Sequence, residues 1–384
     1  MMMLLRAGSP ARSTWNALFN VLLTVCLLAA AAITLSARAA ENSSVTVTDM
    51  LNRTVTLPAP AKRIVLAESR HIMTLALLDK DPLSSVVAWG TDLQRYSPAT
   101  WQALKQRFPQ AASIPEIGDL NSGTFSMEAA IAAKPDLVVF TLYGPIPDGL
   151  SKLDAAHVPY VFVDFFRHPL TKTVPSMRML GKLTGHEQQA EAFIAFYQQH
   201  MDDVAKRVAK EPTRPTVFFH LNPGGEECCF TSGKGNMSDF IAVAGGENLG
   251  VKTLNQAIGR LNLEYVLAQK PDFYLAGGGS SVSRKGLNVG PGVSAAESAR
   301  SLKAIVSNPS LASLSAIRNH QGAGIWLFFF DNPLFFIGVE EMAKMLHPAA
   351  FADVDPAKTF DELNQRFLAF PLQGSFWTTL NGQE

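Results

Sequence analysis

Ser-Met-Glu-Ala-Ala-Ile-Ala-Ala-Lys-Pro-Asp-Leu-Val-Val-Phe, residues 126–140, returns as Asn-Leu-Glu-Tyr-Val-Leu-Ala-Gln-Lys-Pro-Asp-Phe-Tyr-Leu-Ala, residues 262–276, 136 residues further along the chain. In each copy a glutamate opens a segment with apolar residues at helical spacing, Lys-Pro-Asp interrupts it, and an apolar run follows. Proline lacks an amide hydrogen and disfavours helical geometry in the residue before it. Each copy therefore predicts one αβ unit, a helix that stops and a strand that begins. Solenoid repeats run to roughly 20–45 residues, so this much longer interval points to duplication of a whole lobe.

Working outward, further strands are expected at residues 63–67, 86–89 and 160–163 in the first half and at 216–220 and 324–328 in the second. Continuous β-branched and aromatic runs alternating with helical stretches imply largely parallel sheets covered on both faces. Between the copies, residues 185–210 contain no internal glycine or proline and are rich in Ala, Gln and Glu, which predicts one long helix stopped by Pro212 and Pro215. The fold expected is α/β: two Rossmann-like lobes with mainly parallel sheets, joined by a single long helix, with a ligand cleft between the lobes. Its divisions are a leader at 1–39, a first lobe at 40–184, the connecting helix at 185–211, a second lobe at 212–347 and a C-terminal extension at 348–384 packed on the second lobe. One stiff connection predicts small closure movements rather than wide opening.

The 384 residues are 47% hydrophobic, enough for two packed cores. With 33 basic and 33 acidic residues there is no global field to draw the chain to nucleic acid or anionic lipid. Arg6 and Arg12 precede an apolar run at 21–35, no acidic residue occurs before Glu41, and Ala37-Arg38-Ala39 suits signal cleavage. An exported chain beginning near Ala40 is expected; the alternative is a retained anchor, although the run is shorter than the ~20 residues a spanning helix needs. Cleavage would remove Arg6, Arg12 and Arg38, leaving 30 basic residues against 33 acidic and a net charge of −3. Cys26 follows Val25 rather than a small residue, so lipid attachment is not expected. Cys228 and Cys229 are adjacent and could bridge only through a small ring, so two thiols are expected ahead of a vicinal disulfide.

These features resemble the periplasmic binding-protein family that serves iron-siderophore, haem and cobalamin importers. The similarity runs from about Val45 to about Leu346. It includes Thr46-Val47-Thr48-Asp49 with Arg53-Thr54-Val55, Arg63-Ile64-Val65-Leu66, both Glu-to-Lys-Pro-Asp segments, and Thr231-Ser232-Gly233 followed by Gly245-Gly246-Glu247-Asn248. The resemblance implies a solute-binding component of an ABC importer, not an enzyme, working as a periplasmic monomer that passes its cargo to a membrane permease. It also implies that Glu128 and Glu264, one on each lobe, meet arginines of that permease, with Glu247 as a substitute for Glu264. The bare alternative for each glutamate is a residue that favours a helix N-terminus.

Ligands of two-lobed α/β proteins sit beyond the carboxyl ends of strands. Candidate cleft residues following predicted strands are Arg70, His71, Trp89, Tyr96, Tyr143, Arg167 and His168 in the first lobe, and Asn222, Trp326 and Phe330 in the second. Arginine forks and aromatic faces suit an anionic ferric-siderophore complex whose chelator already fills the iron's coordination sphere. No cofactor is expected, and eight scattered histidines without metal-site spacing make direct metal ligation an unfavoured alternative. Hydroxamate, catecholate, mixed pyoverdine-like, haem and cobalamin cargoes all remain open, in that order.

Gly277-Gly278-Gly279-Ser280-Ser281 and Gly233-Lys234-Gly235 complete no nucleotide fingerprint, and no Gly-x-Ser-x-Gly elbow or His-Glu-x-x-His occurs. Those glycines are expected in tight turns where backbone approaches a ligand. A sensory module that binds the same ligand and signals to a membrane protein is the other reading the sequence allows.

Overall fold

In the computed structural model, which describes residues 44–224, 228–279 and 285–381, Lys134 and Lys270 both adopt left-handed backbone, with φ of 50° and 47°. Each helix thus ends just before its proline, as the sequence expects. The helix Met127–Ala132 begins at Ser126, whose hydroxyl accepts from the Ala129 amide, and Leu263–Gln269 begins at Asn262, which accepts from the Glu264 amide at 2.7 Å. The aspartate of each motif then pins the neighbouring strand. Asp136 accepts from the amides of Lys62 and Arg63 at 2.9 and 3.0 Å; Asp272 accepts from the Thr216 amide and hydroxyl at 2.8 and 2.7 Å.

An antiparallel hairpin of β1 (Val45–Thr48) and β2 (Thr54–Leu57) opens the described chain. The first lobe follows with β3 (Ile64–Leu66), β4 (Val86–Trp89), β5 (Leu137–Thr141) and β6 (Tyr160–Val163), in the order β4-β3-β5-β6 and parallel throughout. Every residue of β5 is buried, as a central parallel strand covered on both faces requires. The second lobe contributes β7 (Thr216–Leu221), β8 (Phe230–Ser232), β9 (Glu247–Asn248), β10 (Ile258–Arg260), β11 (Phe273–Gly278), β12 (Gly290–Pro291), β13 (Gly322–Trp326), β14 (Gly374–Ser375) and β15 (Trp377–Thr379). Its main sheet has the order β15-β13-β11-β7-β9, parallel except for β15.

The strand expected at 324–328 ends at Trp326, and Leu327–Asp331 forms a 3-10 turn. Apolar continuity through Leu327 and the phenylalanines does not distinguish strand from a buried turn. That turn becomes the second lobe's contribution to the cleft.

The connecting helix spans Glu187–Val208 and is preceded by a separate helix, Pro169–Thr184, which Gly185 terminates at φ 74°. The two helices approach so closely that a Cβ on Gly181 would lie 2.5 Å from that of Ala190. Phe196 and Tyr197 of the connecting helix pack edge-on against Phe336 and Phe335, with ring centroids 5.7 and 5.6 Å apart.

The C-terminal extension inserts β15 antiparallel to β13 and places Phe376 on Trp326 and Phe360, at 5.3 and 4.3 Å between centroids. It also reaches the first lobe, which the sequence did not signal. The Ala369 amide donates to the Ala76 carbonyl at 3.0 Å, and Lys80 Nζ donates to the carbonyls of Arg366, Phe367 and Leu368 at 3.2, 3.1 and 3.4 Å.

Cys228 and Cys229 are joined in a disulfide rather than left as two thiols. Cys229 is fully buried in the connection from β7 to β8, where its carbonyl accepts from the Leu261 amide at 2.9 Å, and the two sulfurs close the small ring. The leader, its cleavage site and Cys26 lie outside the described residues. Among the described residues no helix is long and apolar enough to cross a membrane.

Phe376 is 4% exposed, so Phe376→Ala is expected to lower unfolding free energy by about 3–5 kcal/mol in urea titration. A loss below about 1 kcal/mol would mean that the extension is not part of the second-lobe core.

Candidate functional site

The carboxyl ends of β3, β5 and β6 face those of β7, β11 and β13 across a cavity of about 310 Å³. This is near the lower end of ordinary ligand pockets. Arg70 enters from the 3-10 turn Ser69–His71 after β3, Tyr143 follows β5, and Phe166 follows β6. From the second lobe come Phe219 and Leu221 of β7, Asn222 beyond it, and Phe328 and Phe330 from the turn after β13. Tyr96, Asn121, Asn236 and Met237 complete much of the wall.

The aromatic wall crosses between lobes. The Tyr143 centroid lies 4.4 Å from Phe166 and 5.9 Å from Phe330, and Phe166 is 5.5 Å from Phe330. Asn236 Nδ2 donates to the carbonyls of Phe166 and Phe330, each at 2.9 Å, tying the second lobe to the first at the mouth.

Beneath the aromatics lies a buried charge cluster. Arg70 Nε is 2.8 Å from Asp331 Oδ2 and 3.8 Å from Asp92 Oδ2; its terminal nitrogen donates to Glu68, and its guanidinium carbon lies 4.8 Å from the Tyr143 centroid. Asp92 also accepts from the Ser69 amide and hydroxyl at 2.6 and 2.8 Å, which fixes the turn that carries Arg70. Burial pushes the Glu68 carboxyl up to about 8 despite Arg70, and that of Asp331 up to about 6. Burial works against charge on Arg70 as well, but Asp331 and Glu68 outweigh it and raise the guanidinium further. His71 lies beside Phe165 and is lowered by burial to about 4, so it is neutral near pH 7.

Of the ten candidates named from sequence, Arg70, Tyr96, Tyr143, Asn222 and Phe330 line this cavity. The others do not. Trp89 and Trp326 are core residues, 1% and 2% exposed, packed edge-on against Trp101 and Phe376 respectively. His71 is buried behind Arg70. Arg167 and His168 are exposed, and Arg167 donates to the Gly144 carbonyl beside the mouth rather than into the cavity. The shared reason is that a position after a strand fixes which end of the sheet a residue occupies, not which way its side chain points.

Sequence reasoning passed over Asn236, Phe328 and Asp331. Asp331 follows β13 by five residues, so the strand-end rule could have found it. Gly277 and Gly278 were expected in ligand-facing turns but lie within β11, where added Cβ atoms would meet Phe219 and Leu287 at 2.7 Å. Ser280 and Ser281 lie outside the described residues. Glu128 and Glu264 each stand exposed in the first turn of a repeated helix, Glu128 paired with Lys152; Glu247 pairs with Lys252 at 3.1 Å. Among the described residues no group of three or more His, Cys, Asp or Glu could hold a metal ion.

The sequence model described as periplasmic binding protein matches residues 75–323, well over half of the chain. The chain belongs to the periplasmic binding protein family. It is therefore a solute-binding component of ABC import and not an enzyme, and its architecture is that of the siderophore, haem and metal class. The ferric enterobactin-binding periplasmic protein FepB of Escherichia coli is 26% identical over 274 residues, covering 70% of this chain and 80% of that protein. The crystal structure of the TroA-like FepB from Veillonella parvula superposes with a TM-score of 0.80 at 26% identity, covering 87% of this chain and 99% of that one. The Fe3+-hydroxamate transport protein of Saccharomonospora viridis shares the fold with a TM-score of 0.52 at 22% identity, covering 79% and 99%.

The charge cluster makes this member's stability depend on pH. Glu68 has its raised value only when folded, so its contribution is fully present below the unfolded value of 4.5 and is lost as pH rises through about 8. Glu341, raised by burial to about 7, adds to the same trend. The contribution of Glu68 to the melting temperature is expected to fall as pH rises from about 4.5 to about 8, and Glu68→Gln to remove that part of the fall; differential scanning calorimetry would show an unchanged slope if Glu68 were already ionised.

Proposed function

We propose that this periplasmic binding protein captures a ferric-siderophore-type iron complex outside the cytoplasmic membrane and delivers it to an ABC permease. The observation that carries the reading is the cleft wall of Tyr143, Phe166 and Phe330, drawn from both lobes around one arginine. Such a surface suits a bulky chelate recognised by its faces, because the iron's own coordination sphere is already filled. Similarity to two proteins named FepB supports the same class.

In this reading the chain is exported, loses residues 1–39 and acts as a monomer. Arg70, Tyr96, Tyr143, Asn222 and Phe330 touch the cargo, while Glu128 and Glu264 present one carboxylate from each lobe to the permease. Rim charges of this kind set orientation and encounter rate more than affinity.

Calorimetric titration of the mature protein with ferric siderophores, haem, cobalamin and free ferric ion tests the binding step. Submicromolar binding of one chelate, weakened about tenfold or more by Tyr143→Ala, is expected; silence across the panel would overturn the reading. The Glu128→Lys/Glu264→Lys double variant is expected to keep full chelate affinity and lose stimulation of the permease's ATP hydrolysis in reconstituted membranes. Undiminished stimulation would remove the two glutamates from docking.

A further inference from the structure

The charge balance at the bottom of the cleft restricts its cargo more than the aromatic walls do. Arg70 is the one ionisable arginine, lysine, aspartate or glutamate lining the cavity among the described residues, and it is already engaged from both lobes. Glu68 accepts from it on its own turn, Asp92 Oδ2 lies 3.8 Å from Nε, and Asp331 reaches it from the second lobe at 2.8 Å. His71 is held neutral by burial. Even with Glu68 protonated, Asp92 and Asp331 outnumber the guanidinium. Asp119 is offset by Arg95 at 3.5 Å.

Acceptor capacity is also left over. Among the described residues, Glu68 Oε2 and both Asp331 oxygens accept no hydrogen bond of normal geometry beyond these ion pairs. A ligand anion that drew Arg70 away would leave Asp331 buried and uncompensated, which is more costly than an exposed charge contact is favourable. Arg95 and Arg167 stand near the mouth but are exposed, so solvent and salt screen what they offer an anion.

We propose that Asp331 is a specificity-determining residue of the cleft: by holding Arg70 it selects an uncharged ferric chelate, of the tris-hydroxamate kind, over a strongly anionic one. The inference rests on the chelate-binding reading above. Three hydroxamates bring one negative charge each and cancel the ferric ion. Three catecholates bring two each and leave the complex with three negative charges. An uncharged complex can lie against Tyr143, Phe166 and Phe330 with the Arg70–Asp331 pair intact. A trianionic complex must either break that pair or approach a floor of its own sign.

The test is calorimetric titration of the mature protein and its Asp331→Asn variant at near-neutral pH with two probes, ferrichrome as the tris-hydroxamate and ferric enterobactin as the tris-catecholate. The wild type is expected to bind ferrichrome at least about tenfold more tightly. Asp331→Asn removes one negative charge and frees Arg70, so it is expected to raise affinity for ferric enterobactin about tenfold while changing that for ferrichrome less than about threefold. Tighter binding of ferric enterobactin by the wild type would overturn the selection and leave chelate import standing, as would no gain in the variant. Binding of neither probe would overturn the selection, and the wider panel above then decides the chelate reading. If Asp331→Asn does not fold, the wild-type ranking decides alone.

Discussion

Two aspartates, Asp136 and Asp272, set the frame on which everything else is hung. Each follows a proline that has just ended a helix; Asp136 accepts hydrogen bonds from the two residues that lead into β3, and Asp272 from the first residue of β7. The carboxylate thus fixes where β3 starts relative to β5 and where β7 starts relative to β11. Parallel strands have no hairpin to set their register, so an anchor at the amino ends does that work. With the amino ends aligned, the carboxyl ends finish level, and their loops meet as two opposed faces.

Those faces are joined by more than the connecting helix. Asn236 links Phe166 to Phe330, and Arg70 is held by Asp331. The C-terminal extension adds a brace: β15 completes the second-lobe sheet, while residues 366–369 bond to Lys80 and Ala76 of the first lobe. Three separate ties oppose wide hinging, in the same direction as the single stiff connecting helix.

The cleft pairs an apolar wall with a buried ionic floor. Burial opposes charge on Glu68 and Asp331, and these two carboxyls respond by holding their protons more tightly. The arrangement is a weak source of stability, because desolvation offsets most of the Coulomb attraction. What it does supply is a fixed orientation for Arg70 beneath the Tyr143 ring and a definite sign of charge at the base of the cavity.

The repeated Lys-Pro-Asp segments, the apolar strand runs and the proline-bounded helix determined the two-lobed α/β fold, because backbone chemistry and periodicity are local properties. The same locality placed Arg70, Tyr143 and Phe330 at the correct sheet ends. It could not separate them from Trp89 and Trp326, which stand in comparable positions but turn into the core. It also offered Arg70 as a fork for an anionic ligand, without saying what holds it. Only the tertiary structure, by bringing Asp331 from the far lobe to within 2.8 Å across 261 positions of sequence, decided that this arginine is already paired. Partners so remote in the chain are chosen by packing, and no local pattern records them.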